Sequence, residues 1–293
     1  MTVPSVGDTA ARSLAHWSEA GRREMEAFYA LARLDYELLA GVLDWRELLT
    51  GVASGGPPPR LLDVACGSGK FPEALVRHAG LDGLGPVTYD LLDPSPFSLR
   101  EAAAALRHPF VAGDRSESTL EGLAAEAGPW DVVWATHALY ALEPANLGAA
   151  IARFRAASAA GGVSFLAQGA ADSFYLKVYA AFLEGVRDGA GTQYVASDDL
   201  IAELRAQGAR PAVRRIGYDH VVAARDTAVL EGYLQRCVFD DTIALAELLE
   251  APVLGPYIST CLDAAAGVYR FHQEVDCVVL RADAGSVSWT AAS

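Results

Sequence analysis

From about residue 60 to 222, short apolar runs alternate with longer amphipathic stretches. The runs near 61–65, 87–92, 109–112, 131–135, 162–167 and 212–222 predict strands, with helices between most of them. That alternation predicts a parallel α/β sheet with helices on both faces. A last strand-like run, VYRFHQEVDCVVL at 268–280, follows a helical segment over about 226–265. Upstream, Leu31, Leu34, Leu38, Val42, Trp45 and Leu49 recur at three- and four-residue steps, the signature of one face of an amphipathic helix. GVASGGPPPR (51–60) reads as a linker behind that helical segment, and DAGSVSWTAAS at the end reads as a loose tail. The expected organisation is a helical lid over residues 1–50 and an α/β domain over 60–282. Residues 171–195 and 226–265 are expected to be inserted on the substrate side.

Composition narrows the class. With 52% hydrophobic and 20% charged residues the chain can bury a core, which excludes a disordered protein. A net charge of −14 argues against nucleic acid and anionic membrane as partners, because both reward clustered Lys and Arg. No run approaches the roughly 18 apolar residues of a membrane span, and MTVPSVGDTAARS lacks the basic flank and apolar core of a secretory signal. A cytoplasmic protein is expected, with a monomer favoured. Cys66, Cys237, Cys261 and Cys277 form no CxxC pair and stand at no zinc spacing from a histidine, so buried thiols and no metal are expected. Lys70 and Lys177 are the only lysines against 21 arginines, a bias that suits a GC-rich bacterial genome.

RLLDVACGSGKFPEAL (60–75) carries the strongest local signal: an apolar strand, then Gly67-Ser68-Gly69, then a helix with Pro72 in its first turn. Glycines let the backbone turn sharply and approach a ligand. Asp63 precedes the loop, and the Asp-x-Ala-x-Gly-x-Gly pattern replaces the GxGxxG spacing that dinucleotide phosphates favour. Asp93 closes the second strand, where a carboxylate accepts both hydroxyls of a ribose. Asp114 is read as closing the third, within reach of an adenine amino group. Each alone is an ordinary turn or cap; three at successive strand ends point to a nucleoside.

The Asp63–Gly69 pattern resembles motif I of class I S-adenosylmethionine (SAM)-dependent methyltransferases. More of the chain, about residues 60–281, resembles the histamine N-methyltransferase family. LLDPSPFSLREA, WDVVWATHALYAL (130–142), QYVASDDLIAEL (193–204) and FHQEVDCVVLRA (271–282) are similar to that family's segments, and the last two are not generic to methyltransferases. The resemblance implies a Rossmann-like seven-stranded methyltransferase sheet. It implies SAM as cofactor, contacted by Gly67, Asp93, Ser98, Asp114, Ser116 and Thr136 beside Asp63 and Gly69. His137 falls where the family has a substrate-contacting glutamine, His272 and Gln273 fall on paired asparagines, and Asp35 lies near an amine-binding glutamate. These departures change shape and hydrogen bonding, so what carries over is a pocket for a small aromatic amine-like molecule, of an indole- or imidazole-ethylamine type suited to bacterial natural-product chemistry.

The residues themselves leave alternatives open. Asp35 shares the apolar helix face, with Tyr29 and Tyr36 alongside, and reads either as a boundary carboxylate pairing with an arginine or as an acid presented to a ligand. His137 follows the fourth strand at its carboxyl end, where ligands of open parallel sheets bind, and reads either as a loop-ordering residue or as a base near neutral pH. Tyr175, Tyr194, Phe174, Tyr179 and Tyr233 are candidate walls for a flat substrate, or simply core. Asp35, His137 and His272 are the expected catalytic acceptors for methylation at nitrogen or carbon. A non-catalytic SAM-binding regulatory protein, a nucleic-acid methyltransferase and an NAD(P) oxidoreductase are the competing classes.

Overall fold

The computed structural model describes residues 8–52, 57–281 and 288–290. Residues 53–56 of the expected linker, and 283–287 and 291–293 of the expected tail, lie outside the described residues.

The N-terminal segment forms α1 (Asp8–His16), α2 (Arg22–Ala40) and α3 (Trp45–Val52). The α/β region then runs β1 (Arg60–Val64), α4 (Lys70–His78), β2 (Val87–Asp93), α5 (Pro96–Ala105), β3 (Phe110–Glu117), β4 (Trp130–Thr136), α6 (Leu147–Ala157) and β5 (Ser158–Gly169). After it come α7 (Phe174–Gly185), α8 (Ser197–Ala206), β6 (Ala212–Ala223), α9 (Thr227–Val238), α10 (Leu245–Glu250), α11 (Leu254–Thr260), β7 (Leu262–Asp263) and β8 (Val268–Arg281).

The sheet order is β3-β2-β1-β4-β5-β8-β6, with the two-residue β7 beside β8. β1 to β5 pair in parallel, and β8 runs antiparallel to both β5 and β6. This is the Rossmann-like methyltransferase sheet: the seven expected strands are present, and β7 is a short eighth. β1, β2 and β4 are buried almost end to end, as strands covered on both faces must be, whereas the edge strand β6 alternates exposed and half-buried positions. The order reverses at β1, between β2 and β4, so a crevice opens at the carboxyl ends of these strands.

Two cores flank the central sheet. On one face Trp45 and Trp134 meet Phe71 edge to face and each other likewise, and Trp45 meets Phe165 edge to face at 4.9 Å and 89°. On the other, α6 and α8 cover Leu62, Val133 and Leu166. Trp45 and Leu49 are 1% and 0% exposed inside the first core. The expected lid over residues 1–50 therefore divides: α3 is built into the main core, and α1 with the first half of α2 lies over the crevice. A third core joins α7, α9 and α11 to the ends of β6 and β8, so the segments expected as insertions make one helical layer beside the crevice. Among the described residues, no helix is long and apolar enough to cross a membrane.

Candidate active site

A cavity of about 560 Å³ lies at the carboxyl ends of β1, β2 and β4, under α1 and α2. At one end its wall is the β1 loop and the β2 terminus: Val64, Ala65, Leu92, Asp93 and Pro94. At the other end it is Asp35, Tyr36, His137, Tyr140, Tyr175 and Tyr194.

The first end is set by backbone. Ala65, Gly67 and Gly69 all have positive φ, at 51°, 52° and 72°. Gly69 also needs its lack of Cβ, since one would lie 3.0 Å from the Cα of Ala102 on α5. At Gly67 a Cβ would lie 3.1 Å from the Trp17 ring, so the loop surface is closed over by the segment between α1 and α2. Asp93 caps the loop: the Gly67 N–H donates to its Oδ2 (3.0 Å) and the Ser95 N–H to its Oδ1 (2.8 Å). Burial pushes the Asp93 pKa up, against those two donors.

The other expected cofactor residues separate. Asp63 sits beneath the loop rather than on the cavity wall. Tyr89 donates to it (2.7 Å), and burial raises its pKa to about 7. Ser98 is fully buried on α5, its N–H given to Ser95 Oγ and its own hydroxyl without a partner. Thr136 ends β4 beside the cavity without lining it. Asp114 and Ser116 also do not line it, and here the expectation is corrected. The β2–β3 register shifts between Tyr89 and Leu91, and Asp90 takes the Asp114 N–H (2.8 Å). β3 thereby continues to Glu117, and the residues at the crevice are Ser118, Thr119 and Leu120. The Gly-Asp that reads as the end of the third strand is an irregularity within it.

The second end is built from side chains. Asp35 on α2 is 2% exposed. His220 on β6 meets its Oδ1 through Nε2 at 2.5 Å, and Tyr175 donates to its Oδ2 at 3.3 Å. Burial is the largest influence on Asp35 and works against its ionisation, but His220, His137 and Tyr218 together outweigh it and hold the carboxyl below its ordinary range. Tyr233 closes the chain behind. Gln273 Nε2 donates to the Tyr233 oxygen (3.3 Å), and the Tyr233 hydroxyl lies 2.9 Å from His220 Nδ1. His220 thus has an acceptor position at Nδ1 and presents an N–H to Asp35.

His137 has φ 52° and lines the cavity. Its Nδ1 lies 2.8 Å from the Tyr140 oxygen, which itself accepts the Gly169 N–H (3.0 Å). Among the described residues that hydroxyl has no other acceptor, so its proton goes to Nδ1 and the imidazole proton sits on Nε2. Nε2 is buried without a partner among the described residues. Burial lowers the His137 pKa, which favours the neutral ring. Tyr36 and Tyr175 stand edge-on to it, at 5.8 and 6.5 Å between ring centres.

His272 does not belong to this site. Alternation along β8 turns it outward, 57% exposed at the side chain, where it meets Asp219 (2.7 Å) and Glu274 (3.0 Å). Gln273, one residue on, is fully buried: its Oε1 accepts from Ser173 (2.7 Å), and its Nε2 reaches the site through Tyr233. Tyr29 is buried on the α2 face and also lines the cavity. The residues not anticipated are His220 and Arg236, the latter buried on α9 at the cavity wall. His220 stands in GYDHVV on an edge strand, and only its packing under α2 makes it internal.

Residues 62–164, the β1–β5 part of the sheet, match a methyltransferase domain family. Similar solved structures include a provisionally assigned methyltransferase from Bacillus halodurans (16% identity, TM-score 0.53, covering 80% of this chain and 96% of that one). Another is magnesium protoporphyrin IX methyltransferase from Synechocystis with S-adenosylhomocysteine (SAH) bound (13%, TM-score 0.50, 92% and 99%). At these identities the likeness is one of fold. No curated protein matches the chain. The donor set at the first end fits the cofactor of such a domain: a carboxylate pre-held by two backbone N–H groups at the end of β2, beside a loop of left-handed residues. The match gives residues 62–164 the character of a methyltransferase domain, and the first end of the cavity suits SAM, the cofactor such a domain uses.

Proposed function

We propose that the protein methylates a small aromatic molecule bearing a cationic amine, at a ring nitrogen or carbon, in bacterial secondary metabolism. The observation that carries this is Asp35, a carboxylate held ionised at the wall of a cavity otherwise lined by Tyr36, Tyr140, Tyr175, Tyr194 and His137. An ammonium is the partner such a carboxylate selects, and aromatic faces add to the attraction for a cation. SAM, when bound, supplies an electrophilic methyl group on sulfonium.

The chain's own residues then have separate tasks. Asp93 would take the ribose hydroxyls, and the β1 loop would fix the nucleoside against β1 and β2. Asp35 anchors the amine, with His220, Tyr233 and Gln273 fixing its direction. That leaves the ring, not the amine, free to face the methyl group. His137, protonated at Nε2, donates a hydrogen bond to a ring or carbonyl acceptor of the substrate and orients it. Much of the rate then comes from holding nucleophile and methyl at reactive distance.

The test is mass spectrometry of products after incubation with SAM and pooled indole-, imidazole- and phenyl-ethylamines. A product 14 mass units heavier than one amine is expected from wild-type protein, with kcat/KM for it reduced by about 10²–10³-fold in Asp35→Asn, the worth of a buried charge pair. Methylation of uncharged aromatics at equal rate, with Asp35→Asn unaffected, would refute the reading.

A further inference from the structure

The cavity wall also carries a cationic group that the proposed methyl transfer does not use. Arg236, in the last turn of α9, is 4% exposed and lines the wall. Its guanidinium lies 4.1 Å from the centre of the Trp17 ring, and its Nη1 donates to the His16 carbonyl at 2.8 Å. Nη2 is buried with no hydrogen-bond partner among the described residues. Among the described residues it forms no ion pair with a carboxylate. Glu24, buried on α2, acts on it only at a distance and is paired instead with Arg23 (3.3 Å).

Elsewhere the chain treats such arginines differently. Arg60 pairs with Asp90 at 2.6 Å, and Arg215 meets both oxygens of Asp276 at 2.8 and 2.7 Å. Both are far more exposed than Arg236. Burying a guanidinium without a counter-charge is costly, so the missing partner is expected from outside the chain. The planar fork suits a carboxylate, and the stacked Trp17 fixes its plane. A phosphate is disfavoured because Asp35, Asp93, Glu121 and Glu143 line the same cavity and would repel a dianion. A monoanion that brings its own cation avoids that conflict.

We propose that Arg236 is the receptor for the carboxylate of an α-amino acid group bound inside the cavity. Two molecules carry that group: SAM, in its methionine end, and an aromatic amino acid used as methyl acceptor. Trp17 touches the Gly67 position with its ring and Arg236 with its face, so the guanidinium stands one indole ring from the cofactor loop. The inference rests on the cavity and the methyltransferase assignment, not on the amine reading.

Binding to full-length protein separates the sources. One pair of probes is SAH and 5′-methylthioadenosine, which lacks the amino acid. The other is tryptophan and tryptamine, which differ by the carboxylate. Arg236→Gln is expected to reduce the preference for the carboxylate-bearing member of one pair by about tenfold or more, with the other member bound as before and Arg236→Lys recovering part of the loss. Loss in the first pair assigns the cofactor, and loss in the second assigns the acceptor. Unchanged ratios in both pairs, or equal weakening of both members, would overturn the proposal. Should Arg236→Gln fail to fold, the wild-type protein decides by comparing SAH and tryptophan with their carboxamides. An affinity lower by about tenfold for one amide supports the site, and equal affinities for acid and amide in both cases overturn it. None of these readouts requires turnover of an amine.

Discussion

At the scale of single residues, two carboxylates and one imidazole carry the site, and each makes a separate demand. Asp93 holds the β1 loop by two backbone donors while keeping lone pairs for a ligand. Asp93→Ala should weaken SAM binding, measured calorimetrically, by about 1.5–3 kcal/mol, because a charge-assisted acceptor and the loop's anchor go together. Unchanged affinity in a folded variant would remove Asp93 from the cofactor site. His137 is placed as a donor, so His137→Gln, which keeps an N–H in reach, should leave kcat within about tenfold of wild type. A fall of roughly 10²–10⁴-fold would instead mark a general base. Its pKa is lowered by burial, which sets a sign for stability. Between the folded and the ordinary histidine pKa the unfolded chain holds the extra proton, so stability rises with pH through that window and falls as pH drops below about 6.5. As pH falls from 7 to 5.5, thermal unfolding should therefore show His137→Gln losing less stability than wild type, over a shared background in which His16, also lowered by burial, acts in the same sense and Asp63 and His272, both raised, act in the opposite one. Parallel curves would contradict that.

At the scale of elements, the N-terminal segment is two things joined. α3 contributes Trp45 and Leu49 to the main core, whereas α1 and Trp17 cover the cofactor loop. Removing residues 1–50 should abolish folding, since loss of a buried Trp alone costs about 3–5 kcal/mol. A chain starting at Arg22 should still unfold cooperatively and bind SAM more weakly. Circular dichroism melts of the two truncations check this, and a folded 51–293 chain would contradict the core assignment. The sequence pattern located every long strand to within a few residues, because apolar runs in parallel strands are buried on both faces. It misplaced the end of β3, where the irregularity beside Asp90 lengthens the strand past Asp114. It also put His272 in the site and passed over His220. Facing residues of β6 and β8 differ in environment only through the helices laid on one face, and pairing Asp219 with His272 sends both outward while His220 goes in. Long-range packing of α2 on β6, 185 residues apart for Asp35 and His220, has no local signature.

At the scale of the whole molecule, one continuous cavity joins the end at Asp93 to the end at Asp35. The same three helices serve both ends. α2 carries Asp35 and Tyr36 to the substrate wall, α9 holds Arg236, and the α1–α2 turn lays Trp17 between Arg236 and Gly67. Ordering that wall around one ligand therefore leaves less to be ordered for the other, which is positive coupling without any direct contact between ligands. SAH at saturation should tighten tryptamine binding by about fivefold or more, the usual lower range of such couplings. Tryptamine should tighten SAH by the same factor, since linkage is reciprocal. Trp17→Ala should shrink both factors together, because it unties the turn from the loop while leaving Asp35 and Asp93 in place. Independent binding in the wild-type protein, measured by titrating each ligand with and without the other, would show that the two ends of the cavity act as separate sites.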